Sequence, residues 1–122
     1  MLTNSGVNKV ILVGRIAKEP CNSSASNEPL MQCFQLVTQE FIKKNGENQE
    51  HNEWHQVKVP AGVNDERYAL KKGDLVYIQG KVETRKYIDE QNIKRYVTEI
   101  IANSLQVLSP AQAQELLMLQ SA

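Results

Sequence analysis

Hydrophobic residues along the chain fall in short runs that polar segments separate. Runs of this length that are rich in β-branched residues are typical of β-strands and are too short for independent helices. The pattern predicts strands over residues 8–16, 30–41, 52–59, 75–88 and 93–101. A last short apolar stretch over residues 105–108 could close the sheet.

The segments between these strands carry residues that favour turns. Residues 18–29 are rich in Asn, Ser, Glu and Pro and predict a loop, and Asn45-Gly46 predicts a tight hairpin turn. The alternation in residues 52–59 predicts a polar, aromatic face with Trp54, Gln56 and Lys58, and a core-like face with His55, Val57 and Val59.

Residues 63–72 have the composition of a short helix, and the following Gly73 can cap its end. Its apolar face would comprise Val63, Tyr68, Ala69 and Leu70. The order of elements is then β-β-β-α-β-β. This order predicts an all-β fold, a five-stranded Greek-key barrel of the OB type with one short helix between strands 3 and 4.

The length of 122 residues fits one domain with one modest core. We expect the OB domain to span residues 1–108. After Ser109 the composition shifts to Ala, Gln, Leu and Met, so residues 109–122 are predicted to form a short tail, either helical or frayed.

Composition and net charge restrict the possible functions less than the pattern of hydrophobic and polar residues does. Fourteen basic residues balance fourteen acidic ones, so the net charge gives no support for binding a polyanion, and such a function must rest on local placement of cations. Residues 1–6 lack the features of a secretory signal and no run reaches the length of a membrane span, so we expect a cytoplasmic protein. Cys21 and Cys33 lack metal or redox spacing, which favours structural thiols.

Five segments of the chain resemble the bacterial and mitochondrial-type single-stranded DNA-binding proteins. They are residues 8–15 (NKVILVGR), 52–55 (NEWH), 70–80 (LKKGDLVYIQG), 84–87 (TRKY) and 95–100 (RYVTEI). Each segment alone is a weak signal, but together they occur in the family's order and approximate spacing over residues 7–108. The resemblance implies an OB fold, single-stranded DNA as the ligand, a homo-oligomer that is usually a tetramer, no cofactor, and a nucleoid-associated cytoplasmic protein in replication, recombination or repair.

The resemblance also implies base-stacking aromatic residues at three positions. Phe41 stands where a Trp is common, Trp54 keeps the family's Trp before His, and Tyr87 follows Arg-Lys. A fourth stacking position, often Phe, aligns with Pro60. The chain thus departs from the family there, which predicts fewer stacking platforms.

Cations accompany each of these aromatic residues, as phosphate contacts require. The predicted phosphate contacts are Lys43 and Lys44 near Phe41, Lys58 on the face of Trp54, Arg85 and Lys86 beside Tyr87, and Lys9 and Arg15 on the first strand. Alternatives stay open for single residues, since Trp54 could be a core aromatic and Tyr87 could be a cross-strand partner of Tyr96.

Other functions remain as alternatives. A primosomal replication protein, dimeric and acting as an adaptor, shares the fold, and a protein-interaction module would fit if the aromatic residues were buried. Common catalytic motifs are absent from the sequence, and a weak metal site at His51 and His55 is disfavoured because Glu53 is expected to point away from them, so we expect neither catalysis nor a metal.

The last residues differ from many bacterial members, which end in an acidic tip that recruits other proteins. Residues 109–122 contain one charged residue, Glu115. We therefore expect any replication or repair partners to be recruited by another route.

Overall fold

The computed structural model describes residues 5–23, 31–63 and 69–111, with only the backbone described for residues 21–23. It contains six strands: β1 Val10–Ile16, β2 Cys21–Ser23, β3 Met31–Lys44, β4 Glu47–Val59, β5 Leu75–Ile88 and β6 Lys94–Ser109. The described part of the chain is therefore all-β, as the sequence predicts.

Five of the strands form a closed barrel. Their order is β1-β5-β6-β4-β3, and β1 also pairs with β3, which closes the sheet on itself. This closure is short, because it consists of the pairs Arg15↔Val37 and Ile16↔Leu36. β4 and β6 are parallel and the other pairs are antiparallel. The topology is that of the predicted Greek-key barrel.

The interior of the barrel is apolar. Alternation along each strand sends one set of side chains inward, and these form a single buried cluster: Ile16, Phe34, Leu36, Val57, Val59, Leu70, Val76, Ile78, Ile100 and Ala102. Burial stops at defined points along the long strands, since residues 39–54 and 81–88 are exposed. The β3–β4 and β5–β6 hairpins thus continue past the barrel as two arms.

The tip of the β3–β4 arm has the predicted turn. Asn45 and Gly46 have φ angles of 53° and 80°, and Lys44 pairs directly with Glu47. Two consecutive residues in the left-handed region are the requirement of a two-residue hairpin loop, which Asn-Gly meets at low cost. This prediction is confirmed.

The structure differs from the sequence prediction at β2 and β6. β2 lies within the predicted loop 18–29, where a three-residue strand without an apolar run gives no pattern. The predicted strands 93–101 and 105–108 are parts of one strand, β6, which begins at Lys94; register shifts opposite Gln79/Gly80 and Leu75/Val76 absorb the extra residues. Cys21 and Cys33 are partners in the β2–β3 register, which leaves the prediction of structural thiols unchanged.

The predicted helix and tail fall mostly on residues outside the described ranges. Residue 63 lies in a turn and residues 69–72 are not helical, while residues 64–68 are not described. Gly73 has a φ of 91°, in a turn that leads into β5. Residues 112–122 are also outside the described part, so the helix and the domain division at residue 108 stay predictions.

Candidate nucleic-acid interface

The side of the sheet that faces away from the core carries most of the predicted site residues. We call it the outer sheet face; its members include Phe41 and Lys43 on β3, Trp54 and Lys58 on β4, Glu99 on β6, and Arg85 and Tyr87 on β5. The buried residues Leu36, Val57 and Ile100 occupy the opposite parity on β3, β4 and β6. The sheet thus separates the core from this face.

The three predicted stacking residues are exposed on the outer sheet face. The exposed fractions are 71% for Phe41, 60% for Trp54 and 41% for Tyr87. The alternative that Trp54 is a core aromatic is therefore wrong. Large apolar rings in water cost free energy that burial would recover, and a flat nucleobase is a suitable cover because every base has a π face.

Tyr87 is not the cross-strand partner of Tyr96. In the β5–β6 register Tyr87 is opposite Arg95, and Lys86 is opposite Tyr96. The guanidinium carbon of Arg85 lies 5.7 Å from the centroid of the Tyr87 ring. This contact places a cation and an aromatic ring side by side on the outer sheet face.

Glu99 joins two of the predicted cations. Its Oε2 lies 3.2 Å from Lys58 Nζ, and its Oε1 accepts a hydrogen bond of 2.7 Å from Arg85 Nε. Glu99 is 7% exposed. A buried carboxylate between two cations restrains both side chains along the sheet. Because Lys58 belongs to β4 and Arg85 to β5, the pair of contacts bridges the regions of Trp54 and Tyr87.

The structure does not bring all predicted cations to the outer sheet face. Lys86 lies on the opposite side of the β5–β6 arm, where its Nζ is 6.0 Å from the Tyr96 ring centroid. Lys44 also has the core-side parity of β3. Lys9 precedes β1 and is exposed.

Arg15 lies near Trp54, at the edge of the barrel. Both residues line one groove between β1 and the β3–β4 pair, and Arg15 Nη1 donates a 3.2 Å hydrogen bond to the Gly73 carbonyl oxygen. Arg15 is therefore close to a candidate stacking residue that is distant from it in sequence.

The two histidines have structural partners. His55 Nε2 is 3.0 Å from Thr38 Oγ1, and His51 Nε2 is 2.8 Å from Glu53 Oε1. The expectation that Glu53 points away from His51 was wrong, because residues two apart on a strand share a side. Within the described ranges, no group of three or more His, Cys, Asp or Glu residues could hold a metal ion.

No helix in the described part of the chain is long and apolar enough to cross a membrane.

Two sets of residues in this region are not predicted from the sequence. Glu99 is one, and the polar lining of the groove, Gln39, Glu50 and Asn52, is the other. For Glu99 a signal exists, since it is an acid between Val97 and Ile101 in an apolar alternation. The groove has no such signal, because β1 and Leu75, which complete its lining, are distant in sequence from β3 and β4.

The chain matches known proteins over most of its length. The model of the "Single-strand binding protein family" matches residues 7–108. Single-stranded DNA-binding proteins of Neisseria meningitidis serogroups A and B are each 34% identical over 104 residues, which is 84% of this chain and 60% of theirs. The single-stranded DNA-binding protein of Bacteroides thetaiotaomicron is 33% identical over 112 residues, 88% of this chain and 69% of that protein. The chain thus spans about 60% of the length of the Neisseria relatives.

Two solved structures have a similar fold. The Plasmodium falciparum SSB complex with ssDNA has a TM-score of 0.69 and 28% identity, over 88% of this chain and 98% of that one. A deletion mutant of the single-stranded DNA binding protein from Thermus aquaticus has a TM-score of 0.72 and 21% identity, over 85% of this chain and 51% of that one. The second likeness concerns the fold alone.

Proposed function

The chain belongs to the single-strand binding protein family, and on that premise we propose that it binds and protects single-stranded DNA without strong sequence preference. The solved relative from Plasmodium falciparum is a complex with ssDNA. The proposed role is in DNA replication, recombination or repair. The chain acts as a binding protein and not as an enzyme in this proposal.

The observation that supports the proposal most is the exposure of Phe41, Trp54 and Tyr87 on one side of the sheet. Stacking of a base on such a ring contributes roughly 1–3 kcal/mol, whatever the base. Lys43, Lys58 and Arg85 share this side and would follow the phosphates between the stacked bases. Affinity then arises without reading the base edges.

A homotetramer in the cytoplasm, associated with the nucleoid, is part of the same proposal. An exposed apolar row runs along and before β1, with Val7 at 91%, Ile11 at 55% and Val13 at 47% exposure. In the part of the chain that the structure describes, β1 pairs with β3 only through residues 15 and 16, so residues 10–14 have no strand partner on that edge. An open apolar edge favours pairing with another copy. Light scattering should give four times the mass of the chain, whereas a dimer would favour the adaptor alternative.

The test of DNA binding uses the single Trp of the chain. Oligothymidylate should quench Trp54 fluorescence, and the affinity should fall as salt rises. By fluorescence anisotropy with labelled oligothymidylate, Trp54→Ala should weaken binding by about 1–3 kcal/mol. Tyr96→Ala is the matched control, because Tyr96 is 62% exposed on the other side of the β5–β6 arm. Absence of quenching and of binding at low salt would instead point to an adaptor or protein-interaction module.

A further inference from the structure

A groove of about 490 Å³ lies on the outer sheet face between β1 and the β3–β4 pair. Trp54, Val37, Gln39, Asn52 and Glu50 line it from β3 and β4. Its volume is in the range of small-molecule sites. The groove is thus large enough for one nucleobase beside the candidate stacking ring.

The β3–β4 register arranges these side chains in successive rungs. Val37 is opposite Trp54, Gln39 is opposite Asn52, and Phe41 is opposite Glu50. An aromatic rung, an amide rung and an acidic rung therefore follow one another along the arm. Glu50 is thus directly opposite Phe41 and two rungs from Trp54, with which it shares the groove.

The carboxylate of Glu50 is held in place by two amides. Its Oε1 accepts a hydrogen bond from Gln39 Nε2 and another, of 3.2 Å, from Asn52 Nδ2. An exposed Glu ordinarily samples several rotamers, and two donors on one oxygen restrict that freedom. In the part of the chain that the structure describes, Oε2 has no protein donor. A fixed acceptor therefore remains available in the groove.

The negative charge of Glu50 restricts which parts of a bound DNA strand can lie in the groove. Glu50 repels phosphate oxygens, whereas Arg15 on the β1 side of the same groove attracts them, so the backbone of a bound strand would follow the β1 side and a base would turn toward Glu50. A carboxylate is an acceptor, so it requires N–H donors on the base edge. Among the four bases of DNA, guanine alone presents two adjacent donors, an imino N–H and an amino group, whereas adenine and cytosine each present an amino group next to a ring nitrogen that is an acceptor. Thymine presents one N–H between two carbonyl oxygens, which would face the carboxylate.

We propose that this groove is a subsite for one guanine base of bound single-stranded DNA. The base stacks on Trp54, its N–H edge donates to Glu50 Oε2, and the amide oxygens of Gln39 and Asn52 are the neighbouring acceptors. The inference rests on the proposed DNA binding and adds a modest local preference to it. Recognition of unstacked bases by an aromatic ring and edge hydrogen bonds is common in single-stranded nucleic-acid binding.

The experiment compares three labelled oligonucleotides of equal length by anisotropy: oligothymidylate, the same strand with a few isolated dG residues, and the same strand with inosine at those positions. Inosine lacks the 2-amino group of guanine. The dG strand should bind about five- to tenfold more tightly than oligothymidylate, as expected for a good base-edge contact. The inosine strand should lose most of that gain.

Glu50→Gln should abolish the preference for dG while binding to oligothymidylate is kept. Glu47→Gln is the matched control, because Glu47 lies on the same strand with the opposite parity and its loss changes the net charge equally. That variant should keep the preference. Equal affinity of the wild-type protein for all three strands would overturn the guanine subsite and leave DNA binding intact. Binding of none of them would overturn both proposals.

Discussion

Asp89 shows how one side chain can organise a turn at the end of an arm. Its carboxylate accepts hydrogen bonds from the backbone N–H groups of Gln91 and Ile93, at 3.0 and 2.9 Å, and from Arg95 Nε at 2.8 Å. These contacts favour the ionised form. The hydrogen bond from Arg95, followed by that from the Ile93 backbone, lowers the pKa of Asp89 below its ordinary value of 3.8.

The lowered pKa predicts an acid-sensitive turn. A group whose pKa is lower in the folded state than in the unfolded state stabilises the folded state at pH values above its pKa in the unfolded state. This stabilisation is lost as the pH falls through the pKa of the group in the folded state. We expect the amide signals of Gln91 and Ile93 in ¹⁵N NMR spectra to shift in one transition with a midpoint below 3.8. Asp89→Asn should remove this transition, and Glu90→Gln should retain it. A midpoint at or above 3.8 in the wild-type protein would contradict the argument.

At the scale of single residues, the sequence predicts the exposure of the aromatic rings better than it predicts the side of the sheet to which each cation points. Phe41, Trp54 and Tyr87 are exposed, although their role in binding is still a prediction. Arg85 and Lys86 are adjacent in sequence, yet strand alternation sends them to opposite sides of the arm. The ion pairs of Glu99 depend on strand pairing, which a pattern along one chain does not contain.

Among the elements, β5 passes close to the backbone of β6 at Gly80. A Cβ at this position would collide with the carbonyl oxygen of Ile101 and lie 2.9 Å from the Cα of Ala102. Gly80 also adjoins the register shift between β5 and β6. The missing side chain lets the two backbones approach at the bend where the barrel continues into the arm.

Gly80→Ala should therefore destabilise the barrel. The backbone of β6 must move to make room, at a cost of about 1–3 kcal/mol. Urea denaturation followed by circular dichroism would measure the loss as a lower midpoint. Gly6→Ala provides the control, since a Cβ at Gly6 has no atom within 4 Å. Equal midpoints for the two variants would show that β6 tolerates the methyl group.

The strands themselves are largely predictable because their apolar residues repeat with the period of a sheet. The Asn45-Gly46 turn is predictable because its backbone angles select these residue types. β2 is missed because three polar or small residues, Cys-Asn-Ser, have no period. The uninterrupted course of β6 is missed because a bulge breaks the alternation without ending the strand.

The net charge of the whole molecule is zero, but individual cations lie on different sides of the sheet. Lys43, Lys58 and Arg85 share the outer sheet face, but Glu99 neutralises part of the charge of the latter two. Lys86 and Lys44 lie on the other side of the arms. The contribution of each cation to the salt dependence of DNA binding should therefore depend on the side of the sheet on which it lies, and not on the total charge of the protein.

Two single variants test this. The slope of log K against log salt concentration changes by about 0.7 for each phosphate contact with a single strand. Lys43→Gln should reduce the slope by up to about 0.7, whereas Lys86→Gln, with the same change in net charge, should leave it unaltered. The slopes come from anisotropy titrations over several salt concentrations. Equal changes in both variants would mean that the strand contacts both sides of the arms.

The strand order has a further consequence for synthesis of the protein. β6 is the last strand of the barrel in the chain, yet it lies between β5 and β4 in the sheet. While a ribosome has released β1 to β5 but not β6, β4 and β5 each keep an open edge and the barrel cannot close. Such edges are sites of unwanted pairing between nascent chains. Folding of this domain must therefore wait until residues 94–109 have left the exit tunnel.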